Sequence, residues 1–369
     1  MAAGSGIGRL FRVTTWGESH GKGIGVIVDG CPAGMTLCEE DVQAYLDRRK
    51  PGTSKFTTPR KEEDRVEILS GVFEGKTTGT PISMIVYNQS QRSRDYHELA
   101  SCYRPGHADY TYDQKYGFRD YTGGGRSSGR ETIGRVAAGA VAAKFLREMG
   151  IRVEAYTKAI GPVRIGEERF DLSKRFENAA VMPDGQAAKE AGKYLEQCMK
   201  DHNSCGGVIE CRITGMPAGI GEPCFDKLSA DLGKAILSIG AVKGFEIGDG
   251  FLAAEATGLT NNDGFFYDEE GKVCKKTNHA GGVLGGISDG SEIIFRAAVK
   301  PTPSIYAAQD TVNLQGENIS LSIGGRHDPV IVPRAVVVVE CMTALTVLDA
   351  LLVNMSSRAD RVMEFYGKI

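Results

Sequence analysis

The sequence predicts an α+β fold built as one intertwined domain. Short runs rich in β-branched residues alternate irregularly with stretches of helical periodicity. No low-complexity linker and no solenoid repeat divides the 369 residues, and 41% of them are hydrophobic, which is enough for a substantial core. We therefore expect a single domain over residues 1–369.

Strands are predicted where β-branched runs are bounded by Gly, Pro or Asn. These runs are Gly25–Asp29, Arg65–Phe73, Ile82–Asn88, Arg152–Ile160, Gly207–Thr214 and Glu292–Val299. The segment SGVFEGKTTGT, residues 70–80, is similar to a P-loop, but only three residues separate Gly71 from Gly75 where that motif has four. Because TTGTP cannot open a helix, a turn between two strands is the better interpretation.

The first predicted helix begins at a capping box of Thr36 and Glu39 and ends before Pro51 and Gly52. One of its faces is formed by Val42, Tyr45, Leu46 and Arg49. A second helix follows the glycine-serine run near residue 125 and ends before Gly150. Its buried side is predicted to be Ile133, Val136, Ala137, Ala140, Val141 and Phe145.

Three further helices are predicted along the rest of the chain. One spans Gly185 to Asp201, and another has an apolar face of Phe225, Leu228, Leu232, Ile236 and Ile239. The last runs from Pro333 to about Asn354. Its four successive valines imitate a strand locally, but the length of the apolar pattern favours a buried helix.

Composition narrows the possible partners of the chain. With 44 basic and 47 acidic residues the formal charge is −3, so no global field attracts nucleic acid or a membrane surface. The nine cysteines include no CxxC pair, which predicts reduced, mostly buried thiols and no zinc site. The amino terminus lacks the apolar segment of a signal peptide, and Glu340 and Asp349 interrupt the long apolar run near the end. We expect a cytoplasmic protein.

The segment GHADYTYDQKYGFRDYTGGGRSSGRETIGR, residues 106–135, is the strongest candidate for a binding site. The glycines at 123–125 expose backbone amides, and Ser127 and Ser128 add hydroxyls just before a predicted helix. Arg126 and Arg130 supply donors suited to phosphate or carboxylate. The alternative is an ordinary loop with a serine cap, and the residues alone do not decide between the two.

Among the six histidines, His20 and His107 lie in turns bounded by glycine or proline, as expected of residues held at a site. His97 and His202 have the surroundings of solvated loop residues. His279 and His327 remain undecided from spacing. Since no two histidines have the i, i+4 spacing of a zinc helix, metal catalysis is not predicted.

Two polar runs near the carboxyl end complete the candidate site: KPTPSI at 300–305 and GGRHDP at 324–329. Lys300, Thr302 and Ser304 are suited to wrap an anionic group, while Arg326 and Asp328 suit a clamp and a proton acceptor. Taken singly, each run is as well explained by a salt-bridged turn. Together with the glycine-rich loop and the two histidines, they predict a pocket for a polyanion.

Seven segments, in order along the chain, resemble the motifs of the chorismate synthase family. They are FRVTTWGESHG, DRRKPGTSKFTTPR, RPGHADYTYDQKYGFRDYTGGGRSS, GAVKGFEIGDG, NHAGGVLGGISDG, KPTPSI and GRHDPVIVPRA. The resemblance implies a β-α-β sandwich, with antiparallel sheets at the centre and helices outside, assembled as a homotetramer. It also implies conversion of 5-enolpyruvylshikimate 3-phosphate to chorismate by a trans 1,4-elimination of phosphate and a ring hydrogen. Reduced FMN is required, although no net redox change occurs.

The resemblance also implies roles for individual residues. The substrate or NADPH would be held by Arg49, Lys55, Arg104, Arg130, Arg326, Ser19 and His20. The flavin would be lined by His107, Arg126, Ser127, Ser128, Gly240, Ala241, Gly285, Lys300, Pro301, Thr302, Pro303, Ser304 and Arg326. His20 would protonate the departing phosphate and His107 the reduced flavin, both tasks suited to imidazole. A relay through Ser19, Ser128 and Asp328 would serve flavin N5.

Two positions depart from the family pattern: Lys55 stands where many relatives have Arg, and Gly129 where Ala is usual. The compact length makes us expect an external flavin reductase in place of an NADPH-dependent activity of the chain itself. Three alternatives remain: a flavin- or anion-binding protein without elimination activity, a P-loop phosphotransferase, and a structural role in which the arginines form solvated pairs.

Overall fold

The computed structural model describes residues 4–52, 56, 62–89, 98–324 and 328–367. Lys55 and Arg326, predicted to bind substrate or cofactor, lie outside the described residues, as do His97 and His327. The helices are α1 Glu39–Arg49, α2 Asp109–Tyr116, α3 Thr132–Glu148, α4 Gly185–Lys200, α5 Leu228–Leu237, α6 Gly258–Asn261, α7 Val332–Asn354 and α8 Ala359–Tyr366.

The strands of the first half are β1 Gly6–Ile7, β2 Arg12–Gly17, β3 Gly23–Asp29, β4 Val66–Ser70, β5 Val72–Phe73, β6 Lys76–Thr77, β7 Ile82–Tyr87, β8 Arg152–Ile160 and β9 Val163–Arg164. Those of the second half are β10 Gly207–Thr214, β11 Val242–Ile247, β12 Phe265–Tyr267, β13 Val273–Lys275, β14 Val283–Leu284, β15 Ile287–Ser288, β16 Ile293–Val299, β17 Gln309–Val312 and β18 Asn318–Leu321. All six predicted strands are present, with boundaries shifted by two residues or fewer, and β4 and β5 divide one of them.

Two antiparallel sheets form the framework. The first has the order β1-β2-β3-β7-β4 and the second β11-β16-β10-β8-β9. In β2, buried and exposed residues alternate, as expected for a strand with one face on the core. The SGVFEGKTTGT segment forms the β5–β6 hairpin, so the predicted turn between two strands is confirmed.

Helices α3 and α7 lie between the two sheets: α3 packs on β3 and α7 on β8, and the two helices pack on each other. The α+β class and the β-α-β sandwich are confirmed, but the sheets were wrongly expected at the centre, since helices occupy that position. The physical reason is that both helices are apolar on all sides and must be covered all round. Gly139 permits their close approach, because a Cβ there would lie 2.6 Å from Cα of Cys341.

The other predictions for helices and thiols are largely confirmed. The buried face of α1 is the predicted one, but the helix begins two residues later than expected, with the backbone N–H of Cys38 donating to Asp41 Oδ2 at 3.0 Å. Phe225 was wrongly placed on the fourth helix, since it precedes α5 and is almost fully exposed. Cysteines 31, 102, 198, 205, 211 and 341 are buried and all nine are free thiols. The apolar α7 is long enough to cross a membrane, but 83% of its most apolar stretch is buried inside this fold.

Candidate functional site

The β2–β3 turn brings Ser19 and His20 against the glycine-rich loop. Ser19 is buried; its Oγ lies 3.0 Å from Nδ1 of His20 and donates to the carbonyl oxygen of Gly123 at 3.1 Å. Since that hydroxyl proton is used on Gly123, the oxygen is left to accept from Nδ1 of His20. The contact therefore places a proton on Nδ1 and orients the imidazole.

Gly123 and Gly124 fit closely beside the two candidate acids. A Cβ at Gly123 would overlap Nδ1 of His20 and lie 2.6 Å from Oγ of Ser19, and one at Gly124 would lie 3.0 Å from Cε1 of His107. Both glycines have left-handed backbone, with φ of 69° and 79°. The structure thus brings His20 and His107 to neighbouring glycines, although 86 residues separate them in the sequence.

The loop continues into α3 through two short 3₁₀ turns. Ser127 Oγ donates to Gly124 O at 2.6 Å, and Ser128 Oγ accepts from the backbone N–H of Arg130 at 3.4 Å. The guanidinium of Arg126 is turned toward β2, where it donates to Gly17 O at 3.2 Å and to Thr15 Oγ1 at 2.6 Å. Part of the role of Ser127 and Ser128 is therefore to cap local turns, as the alternative of an ordinary loop with a serine cap predicts.

Arg104 and His107 share a carboxylate that sequence reasoning missed, that of Asp109. Arg104 donates to it from Nε at 2.8 Å and from Nη2 at 2.7 Å, and Nδ1 of His107 lies 3.0 Å from Nη2 of Arg104. Burial alone would raise the pKa of Asp109, but hydrogen bonds from Arg104 and His107 and the charge of Arg104 hold it well below its usual value. Asp109 is therefore ionised.

The segment from Lys300 to Ser304 lies beside this turn. Nζ of Lys300 donates to Gly106 O at 2.5 Å, and its backbone N–H donates to Ala241 O at 2.9 Å. Burial, followed by the charge of Lys243, lowers the pKa of Lys300. Pro301 and Pro303 stiffen the segment. Oγ1 of Thr302 is buried and has no hydrogen-bond partner among the described residues.

Gly240 and Ala241 follow the carboxyl end of α5 and reach the Lys300 segment through the bond to Ala241. Gly285 lies at the opposite end of that helix, in the β14–β15 turn, where Gly286 O accepts from the N–H of Leu228. Ten helical residues separate the two ends, or about 15 Å. Within one chain the structure does not bring Gly285 to the other predicted flavin residues.

A second cationic group is buried behind His20. Arg49 and Arg130 both pair with Asp64, the latter through Nη1 and Oδ1 at 3.2 Å, and Arg130 Nη2 donates to Asn88 Oδ1 at 2.8 Å. Beside them Arg334 pairs with Asp328 at 2.5 Å. Sequence reasoning missed Asp64, Asn88 and Arg334. The position of the Asp64 carboxylate shortly after the basic tail of α1 was the signal that could have identified Asp64.

Burial and the neighbouring charges perturb the cations of this group. Burial lowers the pKa of Arg49 to about 10, helped by the charges of Arg334 and Arg130 and opposed by that of Asp64. Asp64 itself has left-handed backbone with φ of 47°, which costs on the order of 1 kcal/mol for a non-glycine residue. The three guanidinium groups gathered here are donors suited to phosphate or carboxylate oxygens.

Two arginines of the 106–135 segment, Arg119 and Arg135, have no predicted role in binding. Both make structural contacts. Arg119 Nη2 donates to the carbonyls of Leu99 at 2.9 Å and Cys102 at 2.8 Å, closing the turn before Arg104. Arg135 joins α3 to Ser238 at 2.6 Å.

The site combines two imidazoles, a glycine cradle and buried guanidinium groups on an α+β scaffold, and these groups are suited to binding an anion and to transferring protons. Comparisons with known proteins identify its family. The sequence model of "Chorismate synthase" matches residues 11–352. A chorismate synthase of Agathobacter rectalis is 66% identical over 367 residues, covering all of both chains, and one of Lachnospira eligens is 67% identical over 99% of this chain and all of that protein.

The fold points the same way. A crystal structure of a chorismate synthase superimposes with a TM-score of 0.77 at 31% identity, covering 98% of this chain and 97% of that one. The chain belongs to the chorismate synthase family, lyases of chorismate biosynthesis that need reduced flavin.

Proposed function

We propose that this protein converts 5-enolpyruvylshikimate 3-phosphate to chorismate by trans 1,4-elimination of phosphate and a ring hydrogen, using reduced FMN. The observation that carries the proposal is the placement of His20 and His107 beside adjacent glycines of one loop, with the buried guanidinium of Arg104 next to His107. A phosphate and two carboxylates on the substrate suit a site that contains several guanidinium groups.

Substrate binding is assigned to the cationic groups on both sides of the glycine loop. Arg49 and Arg130 are buried beside each other on Asp64, and their guanidinium groups are donors suited to an incoming phosphate or carboxylate. Arg104 is the candidate on the opposite side of the loop. Lys55 and Arg326 stay predictions because they lie outside the described residues.

His20 is the proposed acid for the departing phosphate. The contact with Ser19 keeps a proton on Nδ1, so the second proton of the imidazolium is on Nε2 and is the one to be donated. An imidazolium beside a phosphate has both the charge and the acidity for this step near neutral pH.

The residues around Lys300 fit a flavin phosphate and ring edge. Thr302 offers a buried hydroxyl without a partner among the described residues, Lys300 a partly desolvated cation, and Gly124 a surface with no side chain beside His107. We assign Ala241, Ser127, Ser128, Arg126 and the 300–304 segment to this role, with Gly240 adjoining. When bound, reduced FMN supplies electron density to the reacting ring. His107 holds the proton beside it, and Asp328, held by Arg334, is the last member of the proposed relay.

The proposal extends to a cytoplasmic homotetramer supplied with reduced flavin by an external reductase. Support for assembly comes from an apolar surface on the segment between β11 and β13, where Phe251, Leu259 and Phe265 are more than half exposed. We call these three residues the apolar patch. Gly285 follows in the same part of the chain, and it reaches a flavin only if a second copy presents it.

An anaerobic assay tests the proposed function. Purified protein is mixed with 5-enolpyruvylshikimate 3-phosphate and chemically reduced FMN, and chorismate is followed by absorbance, with oxidised FMN as the control. Formation of chorismate with reduced FMN but not with oxidised FMN supports the proposal. The absence of chorismate in the presence of reduced FMN contradicts it. NADPH as the only electron source then shows whether the chain reduces its own flavin; we expect no turnover.

The alternative, a flavin- or anion-binding protein without elimination activity, makes a distinct prediction. Replacing His20 and His107 together would leave ligand binding and any turnover unchanged. Under the proposed function the double variant loses turnover by at least a hundredfold, while it retains binding of the flavin, measured by fluorescence.

A further inference from the structure

Asp109 makes more contacts than a surface helix terminus requires. It opens α2 and is 4% exposed. Its Oδ2 accepts from the backbone N–H of Arg104 at 3.0 Å and from Nε at 2.8 Å, and its Oδ1 accepts from Nη2 at 2.7 Å. Such a two-pronged contact fixes the guanidinium plane as well as its position.

Nδ1 of His107 lies within reach of both members of this pair. It is 3.0 Å from Nη2 of Arg104 and 3.3 Å from Oδ1 of Asp109. A guanidinium only donates, so it binds the lone pair of the neutral ring, whereas a carboxylate only accepts and takes the N–H of the charged ring. Nδ1 therefore has a partner in both protonation states, and the proton that the neutral ring keeps is on Nε2.

The charges around His107 are mostly positive. Lys300 contributes a cation from the 300–304 segment through its bond to Gly106. Arg104 and Asp109, which belong to the same turn as His107, face its ring. Ser127 lies beside Gly124, the glycine that contacts His107, and His20 lies beside the adjacent Gly123. Among these described residues Asp109 is the carboxylate, so without it they would place two cations and no anion beside a protonated His107.

We propose that Asp109 is a positioning residue that fixes Arg104 and His107 relative to each other and supplies the counter-charge for protonated His107. The inference rests on the proposed function of His107 as a proton donor. Asp109 acts through its two neighbours, keeping the transferable proton on Nε2.

Histidine NMR tests this without any turnover. In the full-length protein labelled with ¹⁵N-histidine, the His107 signal is assigned by its loss in His107→Gln. We expect the neutral ring of the wild type to be the Nε2–H tautomer. In folded Asp109→Asn the guanidinium of Arg104 is no longer held, so we expect the neutral His107 ring to become a mixture of both tautomers. A wild-type Nδ1–H tautomer overturns the inference even if the variant does not fold, and an unchanged Nε2–H tautomer in folded Asp109→Asn does the same.

Kinetics supply the second readout. With chemically reduced FMN, kcat of Asp109→Asn falls at least tenfold, because Arg104 and His107 lose the carboxylate that they share. KM for the substrate rises as Arg104 is released. Asp113→Asn is the matched control, because it removes a carboxylate from the same helix that pairs with Arg119 instead. Equal kcat and KM for the two variants contradict the inference; an active His107→Gln contradicts the proposed function of His107 and leaves the NMR test standing.

Discussion

Gly123 sets the position of the proposed acid His20. Because Gly123 has no side chain, the imidazole of His20 and Oγ of Ser19 can occupy the space beside it. Its carbonyl oxygen accepts a hydrogen bond from the Ser19 hydroxyl. The position combines two demands, an open face and a left-handed backbone, and glycine is the residue that meets both.

Replacing Gly123 by Ala, and comparing the result with Gly117→Ala, distinguishes the effect of filling the space from that of straining the backbone. We expect turnover to fall at least a hundredfold, because the new Cβ displaces His20, and stability to fall by about 1–2 kcal/mol from the backbone strain. Gly117→Ala is the control: its φ is 79°, but a Cβ there meets nothing within 4 Å. Turnover is measured with reduced FMN and stability by urea unfolding. Equal losses of turnover in the two variants would show that strain alone is responsible.

Asp64 holds two buried cations together, and its substitution reports on that charge balance. Asp64→Asn leaves Arg49 and Arg130 without their shared carboxylate, and we expect a loss of about 3 kcal/mol in the free energy of unfolding at pH 7. Asp29→Asn, which breaks an exposed pair with Arg12, should cost less than about 1 kcal/mol. Similar losses for both would contradict the buried-cluster assignment.

The same residue gives a pH dependence. Burial would raise the pKa of Asp64, but Arg49 and Arg130 outweigh it and lower the pKa below its ordinary value. A carboxylate with a lowered folded-state pKa stabilises the fold above its unfolded pKa, and this contribution is lost as the pH falls through the folded value. The difference between wild type and Asp64→Asn should therefore be constant above about pH 5 and shrink below about pH 4 in denaturation curves.

At the scale of elements, strands were predictable where β-branched runs have clear edges, as in β8 and β10. Strand β11 was missed because Gly244 interrupts it, and α2 because it has no apolar face. Long-range pairs such as Arg334 with Arg49 were not predictable, because 285 residues separate the partners and spacing carries no signal for them. The loop motifs identified Arg104 and His107, but not the carboxylate that links them.

The β5–β6 hairpin offers a stabilising substitution. Its two-residue turn is Glu74 and Gly75, with φ of 48° and 71°. Asn tolerates this backbone better than Glu, so Glu74→Asn should stabilise the protein by about 0.5–1 kcal/mol in urea unfolding. Glu74→Ala keeps the strain and should leave stability nearly unchanged; a gain of the same size there would point to charge removal as the cause.

For the molecule as a whole, the apolar patch is the proposed assembly surface. Replacing Phe251, Leu259 and Phe265 together by Ser should convert the proposed tetramer to species of one or two chains in sedimentation velocity. Phe365→Ser on α8 is the control, since it removes an equally exposed aromatic ring elsewhere. A tetramer that survives the triple substitution rules out this surface. Loss of flavin binding together with assembly would place Gly285 of a second copy at the site.

The position of α7 along the chain has a consequence for biosynthesis. This helix fills the space between the sheets but is formed from residues 332–354 of 369. At 5–20 residues per second, roughly 20–70 s pass before a ribosome has made it. During that time the inner face of the second sheet and the side of α3 that packs on α7 are without their main partner. We therefore expect the nascent chain to bind chaperones until α7 has been translated.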